Sequence, residues 1–154
     1  MKKRITALGL LWCLSAVMLQ AARVDTVLVR SVAMNKDVKV VYVLPDKAIG
    51  KQACPVVYLL HGYGGNARSW MQLKPELPQM ADEKGIIFVC PDGKNSWYWD
   101  SPENPAYRYE TFVTSELVKY TDGNYATIPD RKARAISGLS MGGHGALWSA
   151  IRHK

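Results

Sequence analysis

Arg134-Ala135-Ile136-Ser137-Gly138-Leu139-Ser140-Met141-Gly142-Gly143-His144-Gly145-Ala146-Leu147 decides the reading of this chain. Ala133 to Ser137 reads as a short buried strand, and Met141 to Arg152 as a helix rich in Ala and Gly. Between them Gly138-Leu139-Ser140-Met141-Gly142 fits G-x-S-x-G, in the strand–turn–helix setting where that pattern has physical meaning. Glycines two before and two after the serine permit a sharp bend free of Cβ clashes. Such a bend pushes the Ser140 hydroxyl out above the sheet edge. The helix that follows aims its N-terminus, with its partial positive charge, at the same place. Ser140 is therefore the candidate nucleophile. The bland alternative is a glycine-rich turn with an idle serine, since the bare pentapeptide is common by chance.

A second glycine-rich segment supports the first. His61-Gly62-Tyr63-Gly64-Gly65 directly follows Pro55 to Leu60, a continuous apolar run that suits a strand buried on both faces of a parallel sheet. Acyl transfer from an ester passes through an oxyanion, and two preorganised N–H groups must face it. A loop of this composition lets backbone amides turn inward. The backbone N–H of Tyr63 is the candidate for one donor. That of Met141, the residue after the nucleophile, is the candidate for the other. His61 reads as a structural residue that hydrogen-bonds to hold the loop rather than as a catalytic base. The competing reading is a plain strand-to-helix turn.

Pro91-Asp92-Gly93 and Asn95-Ser96-Trp97-Tyr98-Trp99 follow the next apolar run, Ile86 to Cys90. Ligands bind at the carboxyl ends of parallel strands. Trp97, Tyr98 and Trp99 are thus candidates for lining an acyl or sugar pocket, against the alternative that they pack the core. His144 lies on the helix that the serine caps, where its side chain cannot readily reach over the hydroxyl. It reads as structural.

The rest of the chain supplies an α/β frame. Val24 to Val32 and Val38 to Val43 read as an antiparallel hairpin with one face partly wet, turning around Asn35 and Lys36. Lys47 to Ala53 reads as a surface loop. Pro75 to Lys84 reads as a short helix that stops at Gly85. Tyr109 to Tyr120 reads as a helix with Tyr109, Phe112, Val113, Leu117 and Tyr120 on one face. The order predicts a mostly parallel sheet with crossover helices and an N-terminal antiparallel hairpin.

The first 22 residues stand apart. Lys2, Lys3 and Arg4 precede an almost wholly apolar run from Ile5 to Leu19, and small Ala21 and Ala22 follow. This is the layout of a signal peptide cleaved after Ala21 or Ala22. An N-terminal membrane anchor is the competing reading. The run is short for a span of about 20 residues. A lipoprotein site at Cys13 is disfavoured by bulky Trp12. Residues 1–22 are thus expected to be a signal and residues 23–154 one partial domain, exported to the periplasm or beyond, with no stable membrane span after cleavage. Taking the signal's three basic residues from the net charge of +7 leaves +4. That excess is scattered and accompanies no nucleic-acid motif. An apolar share of 48% with 21% charged residues predicts a packed core rather than disorder. Cys54 and Cys90 are expected at opposite ends of the sheet, too far apart for the roughly 6 Å a disulfide needs. No Cys/His spacing suits zinc, and no cofactor is expected.

Together these segments resemble an esterase family of α/β-hydrolases that includes esterase D-like S-formylglutathione hydrolases, tributyrin esterases, and secreted feruloyl and acetylxylan esterases. The matching stretches are Val56 to Gly65, Phe88 to Asp100 and Tyr109 to His153. The resemblance implies the α/β-hydrolase fold and a serine hydrolase that cleaves carboxylic esters without a cofactor. With the export signal, it points to acyl esters of carbohydrates outside the cytoplasm. In that fold the nucleophile is followed in sequence by an acid and then a histidine. Only fourteen residues follow Ser140. The chain is therefore expected to be a fragment, truncated after the nucleophile strand and helix, that hydrolyses little by itself. Two further readings stay open: an acyltransferase to a sugar acceptor, and a non-catalytic remnant or carbohydrate-binding protein that uses the aromatic loop.

Overall fold

The computed structural model describes residues 22–153. The expected signal lies outside them except for Ala22, which is buried at the start of the domain. Strands β1 (Arg23–Ser31) and β2 (Lys36–Leu44) form the antiparallel hairpin, with Asn35 at its turn in a left-handed conformation. After a short helix α1 (Asp46–Ile49) come β3 (Val56–Leu60), α2 (Ser69–Leu73), α3 (Leu77–Lys84) and β4 (Ile87–Pro91). A helical segment then runs from α4 (Tyr109–Thr111) through a π-helical turn, Phe112–Glu116, into α5 (Leu117–Asn124). Strand β5 (Arg134–Gly138) and helix α6 (Met141–Arg152) complete the described chain.

The five strands form one sheet in the order β1-β2-β4-β3-β5. β3 pairs in parallel with β4 and β5, and β2 pairs antiparallel with β1 and β4. The two apolar runs that read as doubly buried strands are β3 and β4, neighbouring interior strands of that order. Helices cover both faces, as a parallel sheet requires. On one face Tyr109, Phe112, Val113 and Leu117 meet Met141 and Ala146 against Val40, Tyr42, Tyr58 and Leu60. On the other, Leu77, Ala81 and Ala67 meet Val41, Val43 and Phe88.

Four details depart from the expectations, each for a physical reason. β2 is not wet on one face beyond Lys39: Val40 to Leu44 are all buried, because β2 is an interior strand and α3 packs near it. β5 is only half-buried, because it pairs on one side alone among the described residues. Part of the segment that read as a surface loop is α1. The helix from Tyr109 carries a π-turn where Thr114 Oγ1 donates to the Glu110 carbonyl at 2.7 Å, competing for an acceptor the α-helical ladder would use. Cys54 and Cys90 are both free and buried, and they pack on opposite faces of the sheet. Burial pushes the Cys90 thiol up to about 12.

Candidate active site

β5 ends at Gly138 and α6 begins at Met141, so Leu139 and Ser140 alone turn the chain. Ser140 takes φ 54° and ψ −115°, a left-handed conformation that residues with side chains rarely adopt. Such strain costs on the order of 1–3 kcal/mol and persists only where the surroundings over-determine it. Here they do. The Leu139 amide donates to the Leu60 carbonyl at 3.2 Å, the Gly142 amide to Leu139 at 2.8 Å, and the His144 amide to Ser140 at 3.0 Å. A Cβ on Gly138 would sit 2.2 Å from the Gly142 carbonyl, and one on Gly142 would sit 2.2 Å from the Leu60 carbonyl oxygen. The backbones of β3, the bend and α6 touch, and only hydrogen fits between them. That contact is the reason for the glycine spacing around Ser140. The Ser140 residue is exposed and its hydroxyl makes no hydrogen bond among the described residues.

The loop after β3 lies against this bend. A Cβ on Gly62 would fall 3.7 Å from Ser140 Cβ. His61 beneath it is 1% exposed. Its Nε2 accepts the Gly93 amide at 2.9 Å, and its Nδ1 lies 2.7 Å from the Gly62 carbonyl. An acceptor at Nε2 requires the proton on Nδ1, so His61 donates to Gly62. With both nitrogens engaged in backbone, the ring holds the loop and has no lone pair to offer Ser140. Nearby Asp92, 3.7 Å from Nε2, is also buried. Burial works to raise its carboxyl. The side chain and amide of Lys94, which both donate to it, outweigh burial and hold it well below the usual carboxylate range. The Tyr63 side chain is exposed. The amides of Tyr63, next to Gly62, and of Met141, next to Ser140, donate to no acceptor among the described residues. Met141 is the first residue of α6, where an N–H has no carbonyl one turn earlier within the helix to accept it.

The aromatic triplet divides. Tyr98 is fully buried, so it is corrected from a pocket-lining residue to a packing one. Its hydroxyl accepts the His61 amide at 3.0 Å, and its ring fills the space that a Cβ on Gly93 or Gly145 would occupy. Trp97 and Trp99 are about half exposed, at 47% and 46%. Both Trp97 and Tyr98 take left-handed φ, 56° and 57°, which turns one ring inward and its neighbour outward. Trp97 meets the His144 ring edge-on at 5.5 Å, and His144 stacks on Trp148 at 6.0 Å. Trp97, Trp99, His144 and Trp148 together line an apolar cleft of about 310 Å³ beside α6. Ser140 does not line it; His144, one turn along the helix, does. Trp148 escaped the sequence reading, although its position eight residues after Ser140 puts it on the His144 face of α6. Its indole N–H donates to Glu110, which also takes Arg152 and His153. Among the described residues no cluster of His, Cys, Asp or Glu is arranged to hold a metal ion.

Comparison with known proteins places this geometry. A family model described as "Putative esterase" matches residues 31–154. An acetyl esterase of Caldicellulosiruptor saccharolyticus is 28% identical over 128 residues, covering 78% of this chain and 47% of the relative. Among solved structures, an S-formylglutathione hydrolase from Agrobacterium tumefaciens superposes with a TM-score of 0.77 at 28% identity, over 86% of this chain and 54% of that one. A ferulic acid esterase superposes with a TM-score of 0.75 at 30% identity, over 87% of this chain and 56% of its own. The chain thus spans about half the length of the relatives it matches. Its sheet order, its strand–turn–helix bend and these similarities have one explanation: the chain belongs to this esterase family and is an N-terminal portion of its α/β-hydrolase fold.

Proposed function

We propose that the complete protein is a serine hydrolase of carboxylic esters in which Ser140 is the nucleophile. The observation that carries this reading is the strained, exposed Ser140 with the Gly62 loop against it and the amides of Tyr63 and Met141 unpaired among the described residues. Ser140 Oγ attacks the ester carbonyl carbon as a histidine takes its proton. The carbonyl oxygen becomes an oxyanion held by the two amides at the positive end of α6. The alcohol leaves with the proton, and water then cleaves the acyl-serine by the reverse sequence. His61 is occupied by backbone, His144 by aromatic contacts and His153 by Glu110. The base and its acid are therefore assigned to residues outside those described.

The proposed site of action is outside the cytoplasm, with residues 1–22 as a cleaved signal. The proposed substrate is an acyl ester of a carbohydrate. The names of the acetyl and ferulic acid esterase relatives and the exposed Trp97 and Trp99 support this choice, which goes with the proposed signal. Apolar aromatic faces suit a planar acyl group or a sugar ring.

The test is hydrolysis of 4-nitrophenyl acetate by the complete protein, with and without Ser140→Ala. Loss of hydrolysis with an unchanged circular dichroism spectrum is expected, and retained hydrolysis overturns the assignment. Adding a sugar acceptor in the same assay separates the readings: transfer product exceeding acid release identifies an acyltransferase. Binding of xylan by wild-type protein that never hydrolyses any ester identifies a carbohydrate-binding remnant.

A further inference from the structure

The oxyanion loop is held from the outside by the segment after β4, and the contacts fall on either side of the amide that matters. The Gly62 carbonyl and the Tyr63 N–H belong to one planar trans peptide, so they point in opposite directions. That carbonyl receives two donors: His61 Nδ1 at 2.7 Å and the Gly65 amide at 3.0 Å. Anchoring it on that side leaves the Tyr63 N–H no choice but the other. The following peptide is fixed separately. Its N–H, on Gly64, donates to Asn95 Oδ1 at 2.8 Å. Two consecutive amides therefore have different fates, the Gly64 N–H bound by a side chain and the Tyr63 N–H left free. The anchors come from one stretch of chain. Gly93 donates to His61 Nε2, the Tyr98 hydroxyl accepts the His61 amide, and Asn95 accepts Gly64. Gly65 is required for the same arrangement, since a Cβ there would stand 2.8 Å from His61 Nδ1.

We propose that Asn95 and His61 are positioning residues for the oxyanion hole, clamping the peptides on both sides of the Tyr63 amide so that this N–H faces Ser140. The inference rests on the assignment of Ser140 and the Tyr63 amide under Proposed function. Neither residue touches the reacting atoms. Each acts through the orientation of a peptide plane, and the loop carrying Trp97 is thereby coupled to the hole.

Asn95 is exposed, so its removal leaves the fold in place. Removing an oxyanion donor outright costs about 10²–10³-fold in rate, and loosening one costs less; about tenfold in kcat is expected for Asn95→Ala. The complete protein carrying Asn95→Ala is assayed for kcat and KM on 4-nitrophenyl acetate. It is also assayed for inhibition by an alkyl trifluoromethyl ketone, whose serine adduct carries the same oxyanion. A positioning role predicts that kcat falls and ketone inhibition weakens by similar factors, with KM and melting temperature unchanged. Unaltered kcat, a change in KM alone, or a loss matched by a fall in melting temperature overturns the proposal.

The His61 arm is read by comparing His61→Asn with His61→Ala. Both lose the acceptor for Gly93, and only the Asn amide can still donate to the Gly62 carbonyl. Higher kcat in His61→Asn is expected, and equal kcat overturns this arm. Ser140→Ala is run alongside. Retained activity there refutes the nucleophile itself, whereas an inactive Ser140→Ala with a fully active Asn95→Ala refutes only the clamp.

Discussion

Gly142→Ala places a methyl carbon 2.2 Å from the Leu60 carbonyl oxygen, 2.5 Å from its carbon and 2.7 Å from the His61 carbonyl oxygen. All three are backbone atoms of the central strand β3 and its exit, so no side-chain rotation relieves the overlap. An unstrained carbon–oxygen contact is more than 1 Å longer than the closest of these, and α6 must retreat by about that much from β3. Overpacking of this kind costs about 1–3 kcal/mol. For a chain of this size that lowers the melting temperature by roughly 3–10 °C. The neighbouring Gly143→Ala is the internal control. Its methyl group would meet only the Gly138 carbonyl oxygen, at 3.4 Å, an ordinary contact. Free of a clash, alanine in a helix is favoured over glycine by up to about 1 kcal/mol. Two adjacent glycines replaced by the same residue are therefore expected to move stability in opposite directions. Thermal melts followed by circular dichroism read the difference directly. In the complete protein, a displacement of about 1 Å at Ser140 is expected to cost about 10²-fold in kcat/KM. If Gly142→Ala melts at or above wild type, or if the two variants behave alike, the claim that backbone contact builds the bend is wrong.

Ser140→Gly relieves the left-handed strain at that position, whereas Ser140→Ala retains it. The glycine variant is expected to be the more stable by about 1 kcal/mol in urea denaturation, and equal midpoints would refute the strain argument. Glu110 predicts an acid-dependent contribution. Burial works to raise its carboxyl, but hydrogen bonds from Trp148, Arg152 and His153, with the Arg152 charge, hold it below its ordinary value. A carboxyl lowered by folding stabilises above the ordinary carboxylate range and loses that contribution as pH falls through its folded value. The stability gap between wild type and Glu110→Gln should therefore narrow from pH 5 to pH 3; a constant gap counts against the linkage.

Much of the frame is visible in one dimension because burial on both faces demands unbroken apolar runs. Pro55 to Leu60 and Ile86 to Cys90 could be read as doubly buried strands on that ground, and they are β3 and β4. The G-x-S-x-G segment located the bend because only glycine, lacking a Cβ, allows the close backbone approach found at Gly138 and Gly142. Short elements escaped. The five residues of α2 are too few to show a period, and the π-turn in the helix from Tyr109 arises from a hydroxyl competing for a single carbonyl. The aromatic triplet shows the limit most sharply. Trp97, Tyr98 and Trp99 are equally apolar neighbours in sequence, yet two are half exposed and one is fully buried. With left-handed φ at both Trp97 and Tyr98, the segment follows neither helical nor strand periodicity, so no pattern could assign the faces.

The sequence by itself determined that this is an α/β chain with a serine presented at a glycine-flanked bend and a glycine-rich loop upstream. Local composition suffices for that, because strand burial and sharp turns constrain residue type directly. Only the tertiary structure decided that β3 and β5 are parallel neighbours, which brings Gly62 against Ser140 across 78 residues of chain. It also decided that His61 spends both ring nitrogens on backbone, and that Asn95 binds Gly64 while the Tyr63 amide stays free. Those facts depend on the direction of individual N–H and C=O groups. Every residue but proline carries the same pair, so only the three-dimensional path of the chain can choose which way each one points.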